Sequence, residues 1–502
     1  MCGILFVKSQ QPLDLAVHLQ ALTKIQSRGP DHTVYDHRGT VFVAHTVLHI
    51  TGQDQFYRVP HPDFVAYNGE IYNYRWFGNY STDTELIYRT VRDQNFRKFP
   101  YFEGPWAWVY TDFDSVHYAT DPQGERCLYR YQDQNILIVS SEVSAILCYV
   151  NAKIAINPHS EKHWPTVSTT PYQGISRCEP GRLYDFSGAV STIDSIFDWS
   201  QEPQQVSDQD AQQEFDHIWD RVIAEMQPQR PVGITVSGGV DSGLILASMP
   251  RADAFYTVDC EGKDTVSTRA AEFLTPDQRQ RHCVLTMTAE SWAQNMIECM
   301  QHSAMPVQSW SFVGQWNIAK HCEQPVLFTG VGADELFGGY PVYQTLHFDT
   351  NTSVSPYSVH DPDSDSAQLW QRCLDSSHGH AGRATLLMDY VIQVSAVDAR
   401  GVDSMTQAHG VEPRSPFMHP KIIKFALNLP WHLRLGKPLL RSRFLRHWSS
   451  ELLLPKQGFA GHCNDSLPWL DIAVSADNNR AQQWQQIQQA SFQRYCGTGS
   501  SQ

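Results

Sequence analysis

The sequence predicts an α/β protein in two parts, the second a doubly wound parallel sheet. Three observations carry this. The chain has 502 residues, enough for two or three domains. Residues 232–236, Val-Gly-Ile-Thr-Val, read as a buried strand; Ser237-Gly238-Gly239 breaks it, and residues 243–249 read as the first turns of a helix. Beyond this corner, strand-like runs at 255–258, 284–286 and 326–328 alternate with helical spacing. Such alternation implies a parallel sheet covered on both faces, with ligands at the carboxyl ends of its strands.

A glycine turn between strand and helix aims backbone N–H groups at an anion. Gly238 and Gly239 let phosphate approach the backbone, and Ser237 and Ser242 add hydroxyls. Asp241 belongs in such a cradle only with a metal ion between it and the phosphates. The stretch lacks the Lys-Ser/Thr that closes a Walker A loop, which points to pyrophosphate cut away from AMP. A second strand-then-turn follows at Thr329-Gly330-Val331-Gly332-Ala333-Asp334-Glu335. Its carboxylates call for Mg²⁺ or a cationic group.

Composition excludes several classes. Apolar residues at 41% supply real cores, so the chain is not disordered. A net charge of −15 argues against tight nucleic-acid binding, which rests on Lys and Arg neutralising phosphates. No run of 18 apolar residues is present to span a membrane, and the first residues lack the basic segment and apolar core of a signal peptide. The 11 cysteines are scattered without Cys-x-x-Cys, as expected of free thiols in a reducing cytoplasm. Among 22 histidines no His-Glu-x-x-His occurs, and pairs such as His45 and His49 read as core or surface residues.

The N-terminal stretch carries a different chemistry. Removal of Met1 leaves Cys2 with a free α-amine of pKa about 7.7–8.0, a base beside its own thiol nucleophile. Helical spacing at 13–25, the turn Arg28-Gly29-Pro30-Asp31 and a strand-like run at 41–50 follow. In Asn68-Gly69-Glu70-Ile71-Tyr72-Asn73, the Asn68 amide and the Gly69 N–H suit an oxyanion hole. Thr82-Asp83-Thr84-Glu85 has capping-box spacing, and Asp83 there suits a substrate ammonium.

These motifs resemble two families. Ser237-Gly238-Gly239-Val240-Asp241-Ser242 resembles the PP-loop of the ATP pyrophosphatases. The N-terminal set, with Phe102-Glu103-Gly104, Asp121-x-x-Gly124 and Ser141-Glu142, resembles the N-terminal-nucleophile glutaminase domain of asparagine synthetases and related amidotransferases. Residues 326–340, Glu412-Pro413-Arg414-Ser415-Pro416-Phe417, Lys437-Pro438-Leu439-Leu440-Arg441 and Leu454-Pro455-Lys456-Gln457-Gly458-Phe459 resemble the synthetase half of the same enzymes. The polar residues 191–210 read as a linker and the Gln-rich tail over 476–502 as a helix with a loose end; the resemblance implies an α-β-β-α sandwich over residues 1–190 and a PP-loop domain over 211–475. It implies Cys2 as nucleophile, Asn68 and Gly69 as oxyanion hole, and Asp83, Asn68 and Glu70 as the glutamine site. Ser237, Gly238, Gly239, Asp241, Ser242, Gly330 and Lys437 become the ATP and pyrophosphate site, with Asp241 and Asp334 holding Mg²⁺.

Two departures matter. Where the family has an Arg for the glutamine carboxylate, the chain has Val47. A buried charge left unpaired costs about 3–5 kcal/mol. Either another cation serves, with Arg58 the expected substitute and Arg38 also nearby in sequence, or glutamine binds poorly, or ammonia comes from elsewhere. Val331 stands where the family has a Glu beside the acyl-adenylate, a position that varies in the related β-lactam synthetases.

The expected activity is that of a glutamine-dependent asparagine synthetase-like amide ligase using ATP and Mg²⁺. Alternatives are a ligase for a different carboxylate acceptor fed by free ammonia, and a non-catalytic descendant; a tRNA-modifying PP-loop enzyme fits the acidic charge poorly. Expected partners are small molecules (glutamine or ammonia, ATP, aspartate or another carboxylate), with no nucleic acid and no membrane, and a homodimer is the candidate assembly.

Overall fold

The computed structural model describes residues 2–51, 62–151, 168–202, 205–262, 266–341, 343, 365–453, 470, 487, 490–492 and 494–496. Arg58, the 454–459 motif and most of the 476–502 tail lie outside them.

The N-terminal part is built on β1 (Cys2–Ser9), whose side chains alternate between two cores. Ile4 and Phe6 join one apolar cluster while Leu5 and Val7 join another, so the strand is buried on both faces. Its sheet runs β2-β3-β1-β8-β7-β9, with β2 (His32–Arg38), β3 (Val41–Val47), β7 (Tyr129–Gln132), β8 (Ile136–Ser140) and β9 (Ile175–Arg177). A second sheet runs β11-β10-β6-β5-β4, with β4 (Phe64–Gly69), β5 (Trp106–Thr111), β6 (Val116–Thr120), β10 (Arg182–Asp185) and β11 (Gly188–Thr192). Ile4, Phe6, Val43, Ala66, Val109 and Tyr118 pack between the sheets. Helices α1 (Leu15–Thr23) and α3 (Val143–Ile146) cover the outer face of the first sheet. Helix α2 (Asp83–Arg92) covers the second, its Leu86 and Val91 against Trp106 and Trp108. The layers are α-β-β-α, as the resemblance implied.

The C-terminal part is a parallel sheet in the order β14-β13-β12-β15-β16. Its strands are β12 (Val232–Thr235), β13 (Ala254–Cys260), β14 (His282–Met287), β15 (Val326–Phe328) and β16 (Glu412–Arg414). The chain runs outward from β12 to β14, then returns to the other side of β12. This doubly wound reversal opens a crevice at the carboxyl ends of β12 and β15. Helices α4 (Asp208–Met226), α5 (Val240–Ser248), α6 (Val266–Glu272), α7 (Pro276–Gln280), α8 (Ala289–Ser303), α9 (Ser311–His321) and α10 (Ala333–Leu336) fill the connections between strands. Trp219 of α4 and Leu244 of α5 pack with Ile234 and Phe328 on one face; Trp292 and Phe312 pack with Tyr256 and Leu327 on the other.

The structure corrects several local expectations. Helix α4 starts at Asp208, inside the expected linker, because Ser207 caps it by accepting from the Asp210 N–H at 3.1 Å. Helix α5 starts at Val240 rather than 243, placing Asp241 and Ser242 in its first turn. Thr82 caps α2 but the box is not reciprocal: Glu85 bonds the Ser81 N–H and hydroxyl instead. In the tail the described residues 487, 490–492 and 494–496 are helical, as expected, and Ile487 and Phe492 are buried, with Phe492 edge-on to Tyr172.

A buried ionic network joins the two parts. Arg28 bonds Glu142 at 2.5 Å and Asp403 at 2.6 Å, and Arg414 pairs with Glu70 and, at 2.7 Å, with Glu412.

Candidate active site

Cys2 opens β1 opposite Val47 of β3. Its backbone N–H donates to Asn68 Oδ1 at 3.0 Å, while Asn68 Nδ2 is buried without a partner among the described residues. An unsatisfied amide N–H₂ there is a donor available to an oxyanion. Gly69 follows with φ +150°, and a Cβ on it would lie 2.1 Å from the Pro105 carbonyl oxygen, so only glycine fits. Burial pushes the Cys2 thiol up, against a hydrogen bond from the Leu48 backbone.

A pocket beside Cys2 is lined by Val47, Leu48, His49, Gly69, Glu70, Asp83 and Glu412, among others. Asp83 accepts from Tyr67 Oη at 2.9 Å and from the Ile71 N–H at 3.0 Å, which fixes its carboxylate at the pocket wall. The Arg28-Gly29-Pro30-Asp31 turn packs against β3: Gly29 crosses it so closely that a Cβ would lie 2.1 Å from the Val47 nitrogen. Neither Arg nor Lys lines the pocket among the described residues; His49 is its one basic side chain. Arg38 is not the missing cation, since it sits at the far end of β2, paired with Asp36 at 2.6 Å. His45 is a core histidine, its Nε2 2.6 Å from the Tyr67 carbonyl oxygen.

The second centre lies in the crevice. Gly238 takes φ +67°, Gly239 caps α5, and Ser237 and Ser242 hold each other hydroxyl to hydroxyl at 3.1 Å. Lys437 comes from 196 residues away in sequence and sets its Nζ 2.7 Å from both oxygens of Asp241. The same Nζ lies 2.6 Å from Asp334 Oδ1. The Lys437 backbone has φ +62° and its N–H donates to the Phe337 carbonyl, which ties its loop to the one bearing Asp334. Gly330 packs against Asp241; a Cβ there would lie 3.2 Å from the Asp241 Cβ. Two buried carboxylates with one ammonium leave a net negative charge, a donor set that fits a divalent cation bridging to phosphate. Burial raises the Glu335 carboxyl, with Asp334 and Asp398 adding to the effect, and the Tyr340 hydroxyl donates to it at 2.7 Å.

Every expected residue with described coordinates therefore falls into one of two groups: Cys2, Asn68, Gly69, Glu70 and Asp83 at the pocket, and Ser237, Gly238, Gly239, Asp241, Ser242, Gly330, Asp334 and Lys437 in the crevice. Val331 flanks the crevice with its carbonyl held by Ser415 Oγ at 2.6 Å and its side chain against the apolar core. Sequence reasoning missed three residues. Glu412 lines the Cys2 pocket from the opposite part of the molecule, and Arg414 clamps Glu70. Gly339 is the third, since a Cβ there would lie 2.0 Å from Asp334 Oδ1 and 2.1 Å from Lys437 Cε. Glu412 and Arg414 belong to the motif at residues 412–417, and nothing local to it signals that partnership.

A two-sheet sandwich with a cysteine at the start of its central strand, joined to a parallel sheet with a glycine turn at its switch point, is the architecture of a two-domain amidotransferase-like protein. The asparagine synthase family model matches residues 216–494 and a glutamine amidotransferase domain model matches residues 1–195. The chain belongs to the asparagine synthase family. It is 25% identical over 388 residues to an asparagine synthetase [glutamine-hydrolyzing] of Bacillus subtilis, covering 68% of this chain and 60% of that one. An amidase, chyE, of Penicillium rubens is 22% identical over 64% of this chain and 55% of its own. The rat asparagine synthetase [glutamine-hydrolyzing] is 23% identical over 91% of this chain and 82% of its own. The first two alignments thus span less than two thirds of those relatives' own length.

Proposed function

We propose that the chain is a glutamine-dependent amide ligase that makes asparagine. The aspartate side-chain carboxylate attacks ATP, pyrophosphate leaves, and ammonia displaces AMP from the acyl-adenylate. Ammonia comes from glutamine, cleaved with water to glutamate by the Cys2 thiol with the Asn68 amide and Gly69 N–H at the oxyanion. Asp83 holds the glutamine ammonium. The observation that carries the reading is the convergence of Lys437, Asp241 and Asp334 at the switch point. Asp241 and Asp334 would hold Mg²⁺, which neutralises charge on the leaving pyrophosphate. Lys437 adds a point charge to that group, and the Ser237–Ser242 loop surrounds it.

A second reading keeps the ligase and changes the acceptor. It rests on Val331, whose side chain offers the acyl group no carboxylate. One experiment separates them: pyrophosphate release from ATP with aspartate, using ammonia or glutamine, with asparagine assayed directly. Asparagine from both sources is expected, and Cys2→Ala retains only the ammonia-dependent part. No aspartate-dependent pyrophosphate from folded protein rejects aspartate as acceptor.

A further inference from the structure

We propose that Arg269 is a positioning residue of the pyrophosphate cradle, locking the peptide between Ser237 and Gly238 so that its N–H faces the bound anion. This rests on the reading of the crevice given above. Arg269 stands on α6, which follows β13, the neighbour of β12 on the side away from β15. Its Nε and Nη2 donate to the Ser237 carbonyl oxygen at 3.2 and 2.8 Å. A trans peptide is planar, with C=O and N–H pointing in opposite directions. Holding the Ser237 carbonyl on the β13 side therefore turns the Gly238 N–H toward the β15 side, where Gly330, Asp241 and Lys437 lie.

Two further observations support a built device. Gly238 has no room for a side chain: a Cβ would meet Arg269 Cγ at 2.7 Å and Nε at 2.9 Å, besides its φ of +67°. The start of α6 is itself pinned, because the Ser267 N–H donates to Asp259 Oδ1 at 2.9 Å and the Ser267 hydroxyl bonds the other oxygen. Asp259 is near the end of β13, so strand, helix and guanidinium form one support for the loop. A guanidinium fork holds a carbonyl in one orientation, which an ammonium on a flexible stem does not.

The test uses the full chain and inorganic pyrophosphate with Mg²⁺, titrated by calorimetry, together with the KM for ATP and kcat of ammonia-dependent pyrophosphate release. Arg269→Gln is expected to weaken pyrophosphate binding and raise the KM for ATP about tenfold each, with the parent's melting temperature kept. Arg269→Lys keeps the charge and is expected to recover only part of that loss. Ser267→Ala, which frees α6 from Asp259, moves both constants the same way by less, and serves if Arg269→Gln fails to fold. Folded Arg269→Gln that binds pyrophosphate within about twofold of the parent overturns the proposal, and so does full recovery by Lys, which would make the effect one of charge alone. Parent protein that binds no pyrophosphate overturns the crevice reading and this proposal with it.

Discussion

Val47 is where a single residue decides most. It is buried opposite Cys2, in a pocket whose one basic lining side chain among the described residues is His49. A charge-assisted hydrogen bond to a carboxylate contributes about 1.5–3 kcal/mol, roughly ten- to a hundredfold in affinity. Val47→Arg is therefore expected to lower the KM for glutamine by about tenfold or more, with the ammonia-dependent rate unchanged. Steady-state kinetics with each nitrogen source checks it. An unchanged glutamine KM would show that the carboxylate is held from another wall. Cys2 and Asp241 stand out at this scale because residue type and neighbours suggest their chemistry, whereas Lys437 is singled out only by the resemblance of its motif.

At the scale of elements, the loop after β15 and the loop bearing Lys437 act as a pair. The Gly436 N–H donates to the Gly338 carbonyl at 3.0 Å, and the Arg434 side chain, through Nε, to that of Leu336 at 2.6 Å, so the two loops are held together by backbone and side-chain bonds. Gly339 lies at the closest approach, where an added methyl collides with both Asp334 and Lys437. Gly339→Ala is expected to lower ATP-dependent pyrophosphate release by about a hundredfold or more, since displacing a charged group at a reacting centre costs that much. Glutamine hydrolysis at Cys2 should persist, and comparing the two activities gives the check. The glycine-rich run was legible as a turn. The reason for this particular glycine was not, because the side chains it makes room for meet only in the folded chain.

Across the whole molecule, buried charges hold the two parts together. Arg414 joins Glu70 of the sandwich to Glu412 of the parallel sheet and also donates to the Met226 carbonyl. Removing one partner of a buried pair costs about 3–5 kcal/mol, because the charge left behind is unpaired. Arg414→Met is expected to lower stability by that order, read as the urea midpoint, and to impair glutamine hydrolysis through Glu70 and Glu412. The pH dependence follows from buried neutral histidines. Burial lowers His45 and His302 to about 3, against an ordinary value near 6.5 in the unfolded chain. Between those values the unfolded chain binds more protons, so stability is full above about pH 6.5 and falls with decreasing pH by up to about 1.4 kcal/mol per unit for each histidine. Urea midpoints from pH 7 to 5 should show that fall, with a shallower slope in His302→Gln.

The sequence by itself determined the strand–glycine–helix corner at 232–248, the alternation that yields a parallel sheet, and the chemical character of Cys2, Asn68, Asp83, Asp241 and Asp334. These depend on a residue and its near neighbours, through side-chain period, turn chemistry and the glycine exemption from steric limits. Tertiary structure alone decided that Lys437 reaches Asp241, that Glu412 closes the pocket of Cys2, that Arg269 grips Ser237 and that Ile487 and Phe492 dock. Each of those contacts joins residues set together by sheet order and by the burial of apolar faces, and such packing depends on the whole chain at once.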